Sequence, residues 1–130
     1  MLRIPTYVAH SRIAGMGLFA AADLPAGSII WEYVDGVDRR LTATELAAIP
    51  EGLRTWLSHY LYLDEAGFYV LCGDNAKYMN HADDPNCDDS GQVYTVTRRA
   101  IAAGEELTCD YRLFDEDSKL NGSPSFLPAA

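Results

Sequence analysis

The stretch YMNHADDPNC, residues 78–87, lies between two runs of strand-forming residues, FYVLC at 68–72 and QVYTVT at 92–97. A turn between strands calls for Asp, Pro or Asn. It does not call for a histidine beside an asparagine. Three readings of Asn80-His81 stand side by side. A metal site would draw on His81, Asp83, Asp84 and Cys87, a mixed hard and soft set without regular spacing. Nucleophilic catalysis by Cys87 or Cys109 would need His10, His59 or His81 as its base, and no sequence pattern fixes that geometry. In the third reading two pieces of backbone cross, and Asn80 and His81 bind main chain and the edge of a ligand.

Composition narrows the field. The chain has 130 residues, enough for one domain, and is 48% hydrophobic, enough for a real core. Nineteen acidic side chains against 10 basic ones leave a formal charge of -9. General nucleic-acid binding needs a basic footprint and is not expected. The charge suits a basic partner such as a lysine-rich peptide. Cys72, Cys87 and Cys109 are odd in number and form no CxxC, so neither a disulfide framework nor a structural zinc site is expected. The opening MLRIPTYVAHSR lacks an apolar signal region, and no run approaches the ~20 apolar residues of a membrane span. These features predict a soluble, cytoplasmic-type protein without membrane contact.

Working outward from the central stretch, the pattern is mostly β. Tyr7-Val8, SIIWEYV (28–34), LYL (61–63), FYVLC, QVYTVT and EELTCDY (105–111) read as strands. Residues 64–67, Asp-Glu-Ala-Gly, read as a hairpin turn. A helical insert spans about 41–60. Thr42-x-x-Glu45 makes a capping box, and Leu46, Ile49, Leu53, Trp56, Leu57 and Tyr60 recur as one apolar face. Pro50 divides the insert into two short helices. The polar tail, 116–130, reads as loop. Leu24-Pro25-Ala26-Gly27 and Ile101-Ala102-Ala103-Gly104 form a faint internal echo, each leading into a strand. Gly15-Met16-Gly17 allows a positive φ and close backbone approach by a ligand.

In order, GMGLFA, WEYVDG, GDNAKYMNHADDPNC and AGEELTCDY resemble the signature of the SET domain, across residues 11–111. The resemblance implies a minimal SET-domain protein lysine methyltransferase occupying residues 1–115. Its fold would be β-clip-like, several small sheets with a knot-like C-terminal crossing at the NH segment. S-adenosylmethionine is the implied cofactor, and no metal is. Gly15, Met16 and Gly17 would line its amino-acid end, Asn80 would bond its amino group, and His81 would meet the adenine edge largely through main chain. Tyr78 joins this cofactor-binding set. Tyr111 matches the catalytic tyrosine, and Tyr33 and Tyr60 would line the lysine channel. The substrate would be a lysine in a basic protein, whether a histone, a DNA-associated protein or a ribosomal protein, and the site of action cytoplasmic, or nuclear or nucleoid if that protein is chromatin-bound.

The implied chemistry is an in-line displacement at a sulfonium methyl by a neutral amine, whose free pKa is about 10.4. An aromatic channel desolvates the ammonium and favours its neutral form. The sequence departs from the family at Met16, often an aromatic, and at Ala82, often a serine. Cys109 stands where the family carries Phe or Tyr, which would leave room for di- or trimethylation. No Cys follows Cys109, so a zinc cap is missing, and Phe114, Phe126 or a second subunit of a homodimer would close the cofactor site. Two other functions compete: an inert SET domain that binds a basic protein, and a metal-dependent hydrolase built on the Asp-rich loop.

Overall fold

A computed structural model describes residues 1–91 and 93–121. Among the described residues, ten short strands form four small sheets. Strands β1 (Thr6–His10) and β2 (Met16–Ala20) pair antiparallel, His10 opposite Met16. Strand β3 (Ile29–Glu32) lies beside β9 (Tyr94–Thr97), which also pairs with β8 (Cys87–Asp88). Strands β4 (Arg39–Leu41), β5 (Leu61–Leu63) and β6 (Tyr69–Leu71) make the third sheet, with β6 central. The fourth holds β7 (Asn80–His81) and β10 (Thr108–Cys109) in parallel, Asn80 opposite Thr108 and His81 opposite Cys109. That parallel pair brings the C-terminal segment alongside the Asn-His segment.

The β5–β6 hairpin closes on Asp64, whose Oδ1 accepts the Ala66 and Phe68 N–H groups at 3.0 and 2.9 Å. This is the side-chain turn that the Asp-Glu-Ala-Gly stretch predicts. The two echoing turns meet each other. Leu24 and Ile101 exchange backbone hydrogen bonds of 2.7 and 2.9 Å, and both side chains are buried. With Leu18, Ile30, Leu107 and Cys109 they form the centre of the core.

Three expectations need correction. EELTCDY is not one strand: Glu106 bridges Phe19 of β2, then Thr108 and Cys109 turn to β7. The chain changes partner within three residues, which a propensity pattern does not reveal. The insert does split into helices α1 (Ala43–Ala47) and α2 (Glu51–Leu57), with both bonds of the capping box present. Its apolar face, however, is only partly covered: Leu46, Ile49, Leu57 and Tyr60 are half-buried, while Leu53 and Trp56 are 57% and 52% exposed. Periodicity shows which residues share a face, not what lies against it. The tail is not all loop. Helix α3 (Glu116–Asn121) follows Asp115, whose carboxylate accepts the Ser118 hydroxyl at 2.6 Å and the Leu63 N–H at 3.0 Å. These bonds dock α3 on β5.

Candidate active site

Asn80 and His81 are both buried, and each holds a different part of the site. The Asn80 Nδ2 donates to the Ala14 and Met16 carbonyls, both at 3.1 Å, and to Glu106 Oε2 at 2.9 Å. Three acceptors around one NH2 group fix the amide's orientation. The Glu106 carboxylate also accepts the Ser11 hydroxyl at 2.8 and 2.9 Å. The loop between β1 and β2 is thereby tied to the chain crossing.

Both glycines of this loop have steric reasons, and the reasons differ. Gly15 has φ +46°, a left-handed conformation that side chains rarely adopt. Gly17 is ordinary strand. A Cβ there would stand 2.5 Å from Glu106 Oε2, so what approaches it closely in this structure is a pinned carboxylate. Gly17→Ala should therefore cost about 1–3 kcal/mol through overpacking. Urea unfolding checks this, and an unchanged midpoint would show that Glu106 moves aside freely.

His81 reaches the other way. Its Nδ1 accepts the Tyr111 N–H at 3.2 Å, so Nε2 carries the ring proton and donates to Asp83 Oδ1 at 2.9 Å. Arg112 bonds Asp83 at 3.1 Å and Asp110 at 2.8 Å. The Arg112 hydrogen bond, ahead of burial, sets the Asp110 carboxyl below its ordinary value. The imidazole and the first aspartate of the opening stretch thus hold the backbone of Tyr111, and His81's main chain is paired with Cys109.

Tyr111 is wedged between His81 and Phe114, with ring centroids at 5.8 and 5.4 Å. Its hydroxyl donates to the Met79 carbonyl. Burial raises the phenol well above its usual range, so it stays protonated and is no base near neutrality. Burial likewise pushes the Cys87 thiol to about 12 and Cys109 far up, which removes both as thiolate nucleophiles. Among the described residues no three His, Cys, Asp or Glu side chains gather as a metal site.

Tyr111 and Tyr60 line one pocket together with Tyr62, Trp31, Thr95 and Cys109. The pocket holds about 60 Å³. Tyr60 stands edge-on to Trp56 and Tyr78, and the Lys77 ammonium lies 5.9 and 5.4 Å from the Tyr60 and Tyr78 rings. Tyr33 is not in the lining. Its ring meets Trp31 edge-on at 6.4 Å and faces Arg40, while Tyr62 takes a place in the wall that the sequence reading did not assign. Phe114 is buried against Tyr62 and Tyr111, and Phe126 lies outside the described residues.

Asn86 is the other residue whose role emerges only in space. Its Oδ1 accepts the Thr108 N–H at 2.9 Å, and its Nδ2 donates to the Glu106 carbonyl at 2.8 Å. Its own N–H reaches the Thr108 hydroxyl at 3.2 Å. It clasps the segment that carries both Glu106 and Cys109. The Pro-Asn pair in the sequence was the available signal.

The family model described as SET domain matches residues 15–112. The human protein "Histone-lysine N-methyltransferase 2D" is 33% identical over 124 residues, covering 87% of this chain and 2% of its own length. A Mycosarcoma maydis protein, "Histone-lysine N-methyltransferase, H3 lysine-4 specific", is 35% identical over 132 residues, covering 89% of this chain and 9% of its own. The chain therefore spans a small fraction of these curated relatives. Among solved structures, a humanized mutant of the Chaetomium thermophilum Polycomb Repressive Complex 2 aligns over 89% of this chain and 16% of that chain, with TM-score 0.61 and 24% identity.

Proposed function

We propose that this chain, which belongs to the SET domain family, transfers methyl groups from S-adenosylmethionine to lysine side chains of a basic protein. One observation carries the reading. Adjacent residues Asn80 and His81 tie the Gly15–Gly17 loop to one side of the crossing and Tyr111 to the other. A methyl donor at that loop and an amine in the aromatic pocket would meet across this dipeptide.

The loop fits the amino-acid end of such a cofactor. Asn80 contributes an amide oxygen, and the Glu106 carboxylate adds negative charge beside the loop. Acceptors and an anion suit an ammonium. Gly15, Met16 and Gly17 would hold that end, and Tyr78 and His81 would border the rest. When bound, the cofactor supplies an electrophilic methyl on a sulfonium. Tyr111, Tyr60 and Tyr62 exclude water and orient the amine. Tyr33, edge-on to Trp31 and lining a neighbouring cavity with Tyr62, would act on the wall rather than on the amine. Alignment of this kind is worth up to ~7–11 kcal/mol in well-oriented systems.

The substrate class rests on the formal charge of -9 and on relatives named for histone lysines. A histone or histone-like partner would place the protein on chromatin, the second of the two locations expected above. Calorimetric titration with S-adenosylmethionine tests the reading directly. Wild type should bind, and Asn80→Ala should bind about tenfold more weakly, the equivalent of one charge-assisted hydrogen bond. No heat at millimolar cofactor would defeat the enzyme reading for this chain and favour the inert binding module.

A further inference from the structure

For an enzyme that acts on lysine, this chain holds few lysines of its own. Eight of its ten basic side chains are arginines, and the two lysines are Lys77 and Lys119. A guanidinium keeps its proton in proteins and offers no neutral amine to a methyl donor. Lys119 belongs to α3. Lys77 lies in the wall of the aromatic pocket, with Tyr60, Tyr62 and Tyr111.

The backbone under Lys77 is fixed. It forms a short helical turn, Asn75–Tyr78, capped by Asp74, whose Oδ1 accepts the Ala76 N–H at 3.0 Å. The other Asp74 oxygen accepts the Leu2 N–H at 2.7 Å, and the Ala76 side chain is buried. The Met79 N–H closes the turn on the Ala76 carbonyl at 3.1 Å. Asn80 follows directly, so Lys77 stands three residues before the dipeptide at which methyl donor and amine would meet.

The side chain, by contrast, is held by rings. Among the described residues the Lys77 ammonium makes no ion pair, whereas Arg3, Arg40, Arg98 and Arg112 each pair with a carboxylate. Its Nζ lies 5.9 Å from the centre of the Tyr60 ring and 5.4 Å from that of Tyr78, both inside the ~6 Å range of a cation–π contact. Tyr60 belongs to the pocket wall, and Tyr78 meets it edge-on at 5.8 Å. Ring faces attract an ammonium without fixing its hydrogen bonds, and the flexible four-carbon stem lets the amine move between the rings and the pocket interior. An amine tethered in the wall is also present at a high effective concentration, an advantage that no lysine of another protein has.

We propose that Lys77 is a modification site: the chain methylates its own Lys77 amine, within one molecule, in the aromatic pocket. The proposal rests on the methyltransferase reading and adds an internal acceptor to it. The Lys77 amine gives its proton to water and attacks the sulfonium methyl of S-adenosylmethionine. The N–C bond forms as the S–C bond breaks, sulfur keeps the bonding pair, and the cofactor leaves as a neutral thioether. Lys77 becomes a methylammonium and so keeps its charge. It stays between Tyr60 and Tyr78, since aromatic faces hold methylated ammonium groups.

The test incubates the purified chain with saturating S-adenosylmethionine and no other protein, then maps methyl groups by peptide mass spectrometry. Core histones are assayed in parallel, and cofactor binding is measured by calorimetry. Wild type should gain methyl groups at Lys77 and none at Lys119. The rate constant should stay unchanged over about tenfold dilution of the protein, as an intramolecular transfer requires. Lys119→Arg should be modified like wild type, and Lys77→Arg should gain nothing. Should Lys77→Arg fail to fold, the wild-type map decides alone. An unmodified Lys77 in a chain that binds the cofactor overturns the proposal, and methylated histones beside it would leave the function standing. Methyl groups at Lys119 in place of Lys77 overturn it too, as does a rate constant that falls with dilution, which means transfer between copies. Absence of cofactor binding would defeat the function and the self-methylation together.

Discussion

Tyr111→Phe should lower the methylation rate by about a hundredfold while leaving the fold intact. The ring keeps its places against His81 and Phe114, so packing is unchanged. The hydroxyl's bond to the Met79 carbonyl is lost, at a cost of about 1 kcal/mol. That bond fixes the side of the pocket where the amine and the methyl would have to line up. A misplacement of about 1 Å at such a point can cost a hundredfold in rate. Single-turnover assays on core histones, run beside thermal melts, separate the two effects. A Phe variant that turns over within about twofold of wild type would remove Tyr111 from the chemistry.

Asn86→Ala should be the most damaging change to stability, about 3–5 kcal/mol, from two orphaned backbone partners and the space left behind. The Thr108 N–H loses its acceptor at 2.9 Å and the Glu106 carbonyl its donor at 2.8 Å. Thr108 is buried, where water cannot easily replace the bond, and the Glu106 carbonyl is partly buried. The melting temperature should fall by roughly 10–20 °C. Because the freed segment carries Glu106, S-adenosylmethionine affinity should fall with it. A melt within a few degrees of wild type would mean that the parallel β7–β10 pair stands without its clasp.

The sequence was most legible where local chemistry decides structure. The capping box at Thr42 and Glu45, the division at Pro50, the Asp64 hairpin and the β1 strand all depend on neighbours in the chain, and all form as read. The ordered signature from the glycine loop to Asp110-Tyr111 identified the SET domain, because those residue types recur together for a shared reason. Asn80 and His81 were read as binding main chain and the edge of a ligand, and which main chain became visible only in space: Asn80 holds the Ala14 and Met16 carbonyls, and His81 the Tyr111 N–H.

What only the tertiary structure decided are the relations between distant segments. Glu106 fills the space beside Gly17, and Ile101 meets Leu24. Tyr62 enters the pocket wall, while Tyr33 meets Trp31 edge-on and lines a neighbouring cavity with Tyr62. Asp89, an unremarked member of a polar turn, accepts the hydroxyl of Thr95 on β9. The sequence by itself determined the family, the short elements and the residue types at the crossing. Which side chains face one another across it was settled by packing, since burial and hydrogen-bond partners are properties of neighbours in space and not of order along the chain.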